Sequence, residues 1–196
     1  IIPTGTGNSE LQAQVIRDLG VTGFVGTPSF LMTVVKAAER MGYDLRRDLK
    51  LRRAVVTAEP LPPSLRKSLE EDYGLDVYDA YGTGEFGALA YQCHQKSGLH
   101  IVDEMIVELV APASGKQLGL GEVGEVVVTS LMETYPLLRF GTGDLSIYTE
   151  EPCPCGRTSL RLLRIMGRVG DAVKVKGMFL YAKQVAEVAS QFKDIS

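Results

Sequence analysis

With 196 residues, 45% of them hydrophobic and 23% charged, the chain can bury a core as one large domain or one and a fraction. A formal net charge of −3 argues against a nucleic-acid groove or an anionic membrane surface as partner. No apolar run approaches the length of a membrane span, and three cysteines without a charged-then-apolar leader fit a reducing cytoplasm better than a disulfide scaffold.

The first residues, IIPTGTG, lack a Met, and the sequence reads as a piece of something longer. IPTGTGN (2–8) has no Gly-Lys-Ser/Thr ending and is read as a strand-to-helix turn. Ser9 and Glu10 open a predicted helix by a capping box, with Leu11, Val15, Ile16 and Leu19 as its apolar stripe and Gly20 as its stop. VTGFVGT (21–27) reads as a short buried strand. Pro28 and Ser29 start a second helix that ends near Gly42. RRAVVTA (52–58) is a strand, residues 62–74 a helix between Pro and Gly, and LDVYDAYG (75–82) a further strand. Helices alternating with β-branched runs predict crossovers on a parallel sheet. After Gly87 the pattern turns to strands separated by turns, at 99–110, 124–130 and 143–149, which predicts a mostly antiparallel β region. A glycine-flanked joint at Gly167–Gly170 and a short helical tail, AKQVAEVASQF, close the sequence. The expected fold class is α/β, a parallel sheet with crossover helices followed by an antiparallel region.

DAYGTGE (79–85) ends a strand in an aromatic residue and turns through two glycines to a carboxylate. Ligands of open α/β sheets bind at the carboxyl ends of strands. There Tyr81 can lie against a base, Gly82 and Gly84 can admit a phosphate, and Glu85 can hold Mg²⁺. The same residues also read as a plain glycine turn with a solvated Glu. Asp144, after Gly-Thr-Gly in LLRFGTGDLS (137–146), can accept two ribose hydroxyls, or simply bond its own turn.

DAYGTGE, YPLLRFGTGDL and GRVGDAVKVKG, in this order, resemble the adenylate-forming superfamily of acyl-CoA synthetases. IPTGTGNSELQ, GTPSF, TAEPLPPSLR, GLHIVDE, GEVVVTSL and CPCGRT are similar to its phenylacetate-CoA ligase branch, and the likeness covers nearly the whole sequence. The resemblance implies an enzyme that joins a carboxylate to AMP from ATP and then passes the acyl group to coenzyme A. It implies that Tyr81 stacks on adenine, bordered by Glu59 and Pro60 and by Asp79, Ala80 and Gly82. Thr83 lines the phosphate pocket and Glu85 ligates Mg²⁺, as the catalytic pair. Asp144 takes the ribose hydroxyls and Arg168 approaches the nucleotide. Gly26, Thr27, Pro28, Ser29 and Phe30 wall the acyl pocket, while Gly170 and Asp171 form the hinge. Residues 1–168 are then the C-terminal half of the large adenylating domain, and 169–196 the hinge and first elements of the small one.

The sequence departs from the family pattern in three respects. Gly84 stands where a Thr is usual, and Gly170 where the hinge usually carries an acidic residue. No Ser/Thr/Gly-rich phosphate loop and no adenylating lysine domain occur in these residues, so this piece alone is expected to be inactive.

All three cysteines and both histidines fall in two short stretches, YQCHQKSGLH and EPCPCGRTS. Three thiolates and one imidazole make a closed, structural zinc site, expected from Cys93, His100, Cys153 and Cys155, with Gly156 turning backbone N–H groups toward the sulfurs. Three reduced cysteines without metal are the other reading, and His94 is the other imidazole. His100 is preferred because GLH resembles the ligase branch. The expected ligands are an aromatic carboxylic acid, ATP and coenzyme A, with no nucleic acid or membrane, and with a homodimer left open. Two other functions stay in view: a non-catalytic zinc-stapled nucleotide-binding module, and an adenylating enzyme that feeds a carrier protein.

Overall fold

The computed structural model describes residues 1–5, 7–149, 151–170, 172–175 and 178–181, with side chains described no further than residue 170. It divides into two compact units, Ile1–Lys96 and Ser97–Ser196.

In the first unit, α1 (Ser9–Asp18) is capped by Asn8, not by Ser9. The Asn8 side chain accepts the Leu11 N–H at 3.0 Å, and Asn8 tolerates the left-handed φ of 39° that this requires. The buried face of α1 is Gln12, Ala13 and Ile16, whereas Leu11 and Leu19 are exposed. Gln12 is inside because its amide donates to Gly5 O (2.9 Å) and Gly7 O (3.0 Å), which fixes the preceding turn. The described residues before α1 form that turn and no strand.

β1 (Gly23–Gly26) is a strand as expected but is not buried: Gly23 and Val25 face out. α2 (Pro28–Arg40) begins at Thr27, whose hydroxyl accepts the Phe30 N–H at 3.3 Å. β2 (Arg53–Val56) follows. α3 (Pro63–Lys67) runs into a π-helical turn, Ser68–Asp72. β3 (Asp76–Thr83) pairs parallel with β2, β2 pairs parallel with β1, and β4 (Gly87–Tyr91) returns antiparallel on β3. Leu31, Val34 and Val35 of α2 pack with Ala54, Val56 and Val77 of the sheet, a core that also takes Leu51, Leu69 and Leu75. The alternation of β2, with Ala54 and Val56 in and Arg53 and Val55 out, is the period-two signature of a strand covered on one face.

In the second unit the expected strand over 99–110 is two: β5 (Leu99–Ile101) and β6 (Met105–Val110), separated by a turn through Asp103 and Glu104. β7 (Val123–Ser130), β8 (Phe140–Thr149), β9 (Arg161–Leu162) and β10 (Gly167–Arg168) complete an antiparallel sheet. Its order is β5-β9-β8-β7-β6, and β10 also pairs with β8. Leu109, Val126, Val128, Leu145 and Leu162 are buried in it. A backbone hairpin, β11 (Ala172–Val175) with β12 (Met178–Tyr181), follows. Asp171, Lys176 and the expected tail helix lie outside the described residues. Among the described residues, no helix is long and apolar enough to cross a membrane.

Candidate functional site

In the first unit the chemistry gathers where β3 changes partners. Asp76 to Asp79 pair with β2, and Ala80 to Thr83 with β4. Gln92 closes the changeover: its N–H donates to Asp79 O and its side-chain oxygen accepts the Asp79 N–H, both at 2.9 Å. Arg66 donates to that Gln92 oxygen at 2.8 Å and to Val77 O at 2.7 Å. Burial pushes the Asp79 carboxyl above its ordinary value, against the opposing pull of the Arg66 guanidinium. Arg66 and Gln92 escaped the sequence reading, since a helix-surface Arg and an isolated Gln carry no spacing signal.

Past the changeover, Tyr81 is buried and the ladder slips between Tyr81 and Gly82. A Cβ on Gly82 would stand 2.4 Å from Gly87 O, so this glycine is required by its own hairpin, whatever ligand approaches. The Thr83 hydroxyl is buried and has no hydrogen-bond partner among the described residues. Such a group costs about 1–3 kcal/mol unless something else satisfies it. Gly84 and Glu85 are exposed on the following turn.

The same unit brings Glu59 to the GTPSF segment. Glu59 Oε2 accepts the Ser29 N–H at 3.3 Å, placing a carboxylate at the positive end of α2. Gly26 lies under the Phe24 ring, Pro28 is buried, Thr27 and Phe30 are half-buried, and Ser29 and Pro60 are exposed. Ala80 is half-buried beside Tyr81.

In the second unit Asp144 and Arg168 meet across β8 and β10, which place them opposite one another. Arg168 Nε stands 3.4 Å from Asp144 Oδ1, and Arg168 Nη2 donates to Thr142 O at 3.0 Å. The Thr142 hydroxyl donates to Val126 O (2.9 Å) and accepts the Asp144 N–H (3.1 Å). Gly170 has a φ of +105° and open space where a Cβ would be.

The remaining group is sulfur and imidazole. His100 on β5, with Cys153 and Cys155 on the β8–β9 turn, offer ligand atoms within 4.8 Å of one another. Cys155 Sγ is 3.5 Å from His100 Nε2, and Ser159 Oγ is 3.3 Å from Nδ1, leaving Nε2 toward the sulfur. Burial, with Arg157 and Arg161 nearby, lowers the His100 pKa and favours the neutral imidazole a metal needs. Arg161, buried and unsuspected from sequence, donates to Ser97 O and Glu151 O, tying together the segments that carry the three ligands. The Gly156 N–H donates to Cys153 O at 3.0 Å, closing the turn that carries both cysteines. Cys93 is buried in the turn after β4, near the end of the first unit, and His94 beside it is exposed. This donor set, soft thiolates with one neutral imidazole, fits zinc.

The profile of the family described as AMP-binding enzyme matches residues 1–135. A phenylacetate-coenzyme A ligase of Thermus thermophilus is 35% identical over 193 residues, and one of Pseudomonas putida is 34% identical over 201. These alignments take in 96% and 100% of this chain, which spans only 43% and 45% of those relatives. A 2-hydroxyisobutyryl-CoA ligase, solved in an open conformation with 2-HIB-AMP and CoA, superposes with a TM-score of 0.88 at 28% identity. That match covers 98% of this chain and 47% of the solved one.

Proposed function

The chain belongs to the AMP-binding enzyme family, and from this premise we propose that it is part of an ATP-dependent, AMP-forming ligase of aryl or arylacetyl acids. The substrate carboxylate attacks the α-phosphate of ATP, giving an acyl-adenylate and pyrophosphate. The thiol of coenzyme A then attacks the acyl carbon and AMP leaves. The observation that carries the reading is the buried hydroxyl of Thr83 at the carboxyl end of β3, without a hydrogen-bond partner among the described residues, beside a buried tyrosine and an exposed carboxylate. A phosphate oxygen is the kind of acceptor that hydroxyl lacks.

On this reading Tyr81 stacks on the base, with Glu59, Pro60, Asp79, Ala80 and Gly82 around it, and Asp144 accepts the ribose hydroxyls. Arg168 approaches the nucleotide from the joint, and Gly26 to Phe30 wall the acyl pocket. Glu85, exposed on its turn, is the residue that would hold Mg²⁺, which when bound neutralises phosphate charge. Catalysis of this kind rests on positioning and on charge stabilisation. Residues 1–168 serve the large domain, and 169–196, with Gly170 and Asp171, begin the small one. Zinc held by His100, Cys153 and Cys155, with Cys93 as the fourth ligand, is structural. Homologues with phenylacetate-coenzyme A ligase names at 35% and 34% identity support the substrate class.

The test is pyrophosphate exchange into ATP by the intact protein. The proposal expects exchange that depends on an added aromatic acid, and thioester formation with coenzyme A in place of a carrier protein. Tight AMP binding without any acid-dependent exchange would instead favour a non-catalytic nucleotide module.

A further inference from the structure

We infer that Glu125 is a positioning residue for the nucleotide: it pins the Gly141–Asp144 bulge to β7 and thereby sets where the Asp144 carboxylate stands. The inference rests on the ribose role proposed above for Asp144.

The β7–β8 ladder is out of step at this point. Glu125 pairs with Leu145 and Val127 with Gly141, so Val126 alone faces Thr142, Gly143 and Asp144. A strand that bulges in this way leaves N–H groups without a ladder partner, and its direction is then set by whatever binds them. Two side chains do so. Thr142 takes the Asp144 N–H at 3.1 Å. Glu125 Oε1 takes the Gly143 N–H at 3.1 Å, a bond strengthened by the charge of the acceptor.

The bulge is shaped around that carboxylate. A Cβ on Gly141 would lie 2.6 Å from Glu125 Oε1 and would push the carboxylate aside from this position. Gly143 sits at a φ of +75°, a conformation that glycine adopts without steric cost and a side chain at this position would strain. Its carbonyl also accepts the Val169 N–H at 2.7 Å, which couples the bulge to the strand bearing Arg168. Glu125 is thus bonded to the backbone of the bulge from which Asp144 projects and to which Arg168 is bonded.

The test measures AMP affinity and steady-state kinetics in the intact protein. Glu125→Ala should weaken AMP binding and raise the KM for ATP by about tenfold, with kcat at saturating ATP within about twofold of the parent. Glu125→Gln, which keeps an acceptor oxygen, should recover most of that affinity. Gly141→Ala should reproduce the loss with Glu125 still present, which covers the case of an unfolded Glu125→Ala. Combined with Asp144→Ala, the Glu125→Ala change should add nothing further to the loss of AMP affinity. A loss in Asp144→Ala without one in Glu125→Ala and Gly141→Ala would overturn the positioning role alone. Unchanged AMP binding in Asp144→Ala would overturn the ribose assignment, and the positioning role with it.

Discussion

Two threonines stand at comparable places in the two units, each between two glycines on a strand whose ladder slips close by. Thr142, on β8, has a buried hydroxyl that bonds Val126 O and the Asp144 N–H, and its neighbours Gly143 and Arg168 are likewise held. Thr83, at the end of β3, has a hydroxyl equally removed from water that bonds nothing among the described residues. The physics of burial is the same for both, and only one of them is satisfied. The difference separates two kinds of polar residue: those that hold the site in shape, and those whose partner must come from elsewhere. The second kind costs stability until a partner is supplied.

The largest expected effect lies on the structural side of that division. If His100, Cys153 and Cys155 hold zinc, Cys153→Ser should lose the metal by elemental analysis. It should also lower the melting temperature by about 10 °C, from about 3 kcal/mol at roughly 3 °C per kcal/mol. Metal-free protein that melts unchanged would move these residues out of the structural class. Next comes Thr142→Val, which strips the hydroxyl's bonds to Val126 O and the Asp144 N–H. It should cost about 1–3 kcal/mol in denaturant titration, and a neutral result would erase the contrast with Thr83.

The smallest effect sharpens the other side. Burial raises the Asp79 carboxyl above its ordinary 3.8, so the folded protein holds that proton more tightly than the unfolded chain. The charge of Asp79 therefore costs stability as pH rises past 3.8, and the cost is complete above the raised value. Asp79→Asn should then melt higher at neutral pH, with the advantage gone below the ordinary carboxyl range. Melting lower at neutral pH would make Asp79 a structural residue.

Much of this was legible in the residues themselves. β-branched runs between capped helices placed the parallel strands, and the cysteine–histidine pattern pointed to side chains that the second unit does bring together. The errors have local causes. On α1 the apolar spacing pointed to Leu11 and Leu19, but Gln12 won the inside because its amide answers two backbone carbonyls. The strand expected over 99–110 broke at Asp103 and Glu104, where an apolar pattern continues across a turn. Arg66, Gln92, Glu125 and Arg161 stayed invisible because each acts on backbone atoms remote in sequence, and no spacing rule encodes such a partner. Asp144 was expected after a glycine turn but lies within β8, because the Gly-Thr-Gly segment forms a bulge in a continuous strand.

The most direct measurement is Thr83→Val in the intact protein, read for both stability and acid-dependent pyrophosphate exchange. Valine keeps the shape and removes the unpartnered hydroxyl. The account expects exchange to fall by about 10²–10³, as for other lost charge-stabilising donors, with melting unchanged or slightly raised. Exchange that survives, with stability lost instead, would show that Thr83 serves the fold and would contradict the reading of this strand end as the seat of the phosphates.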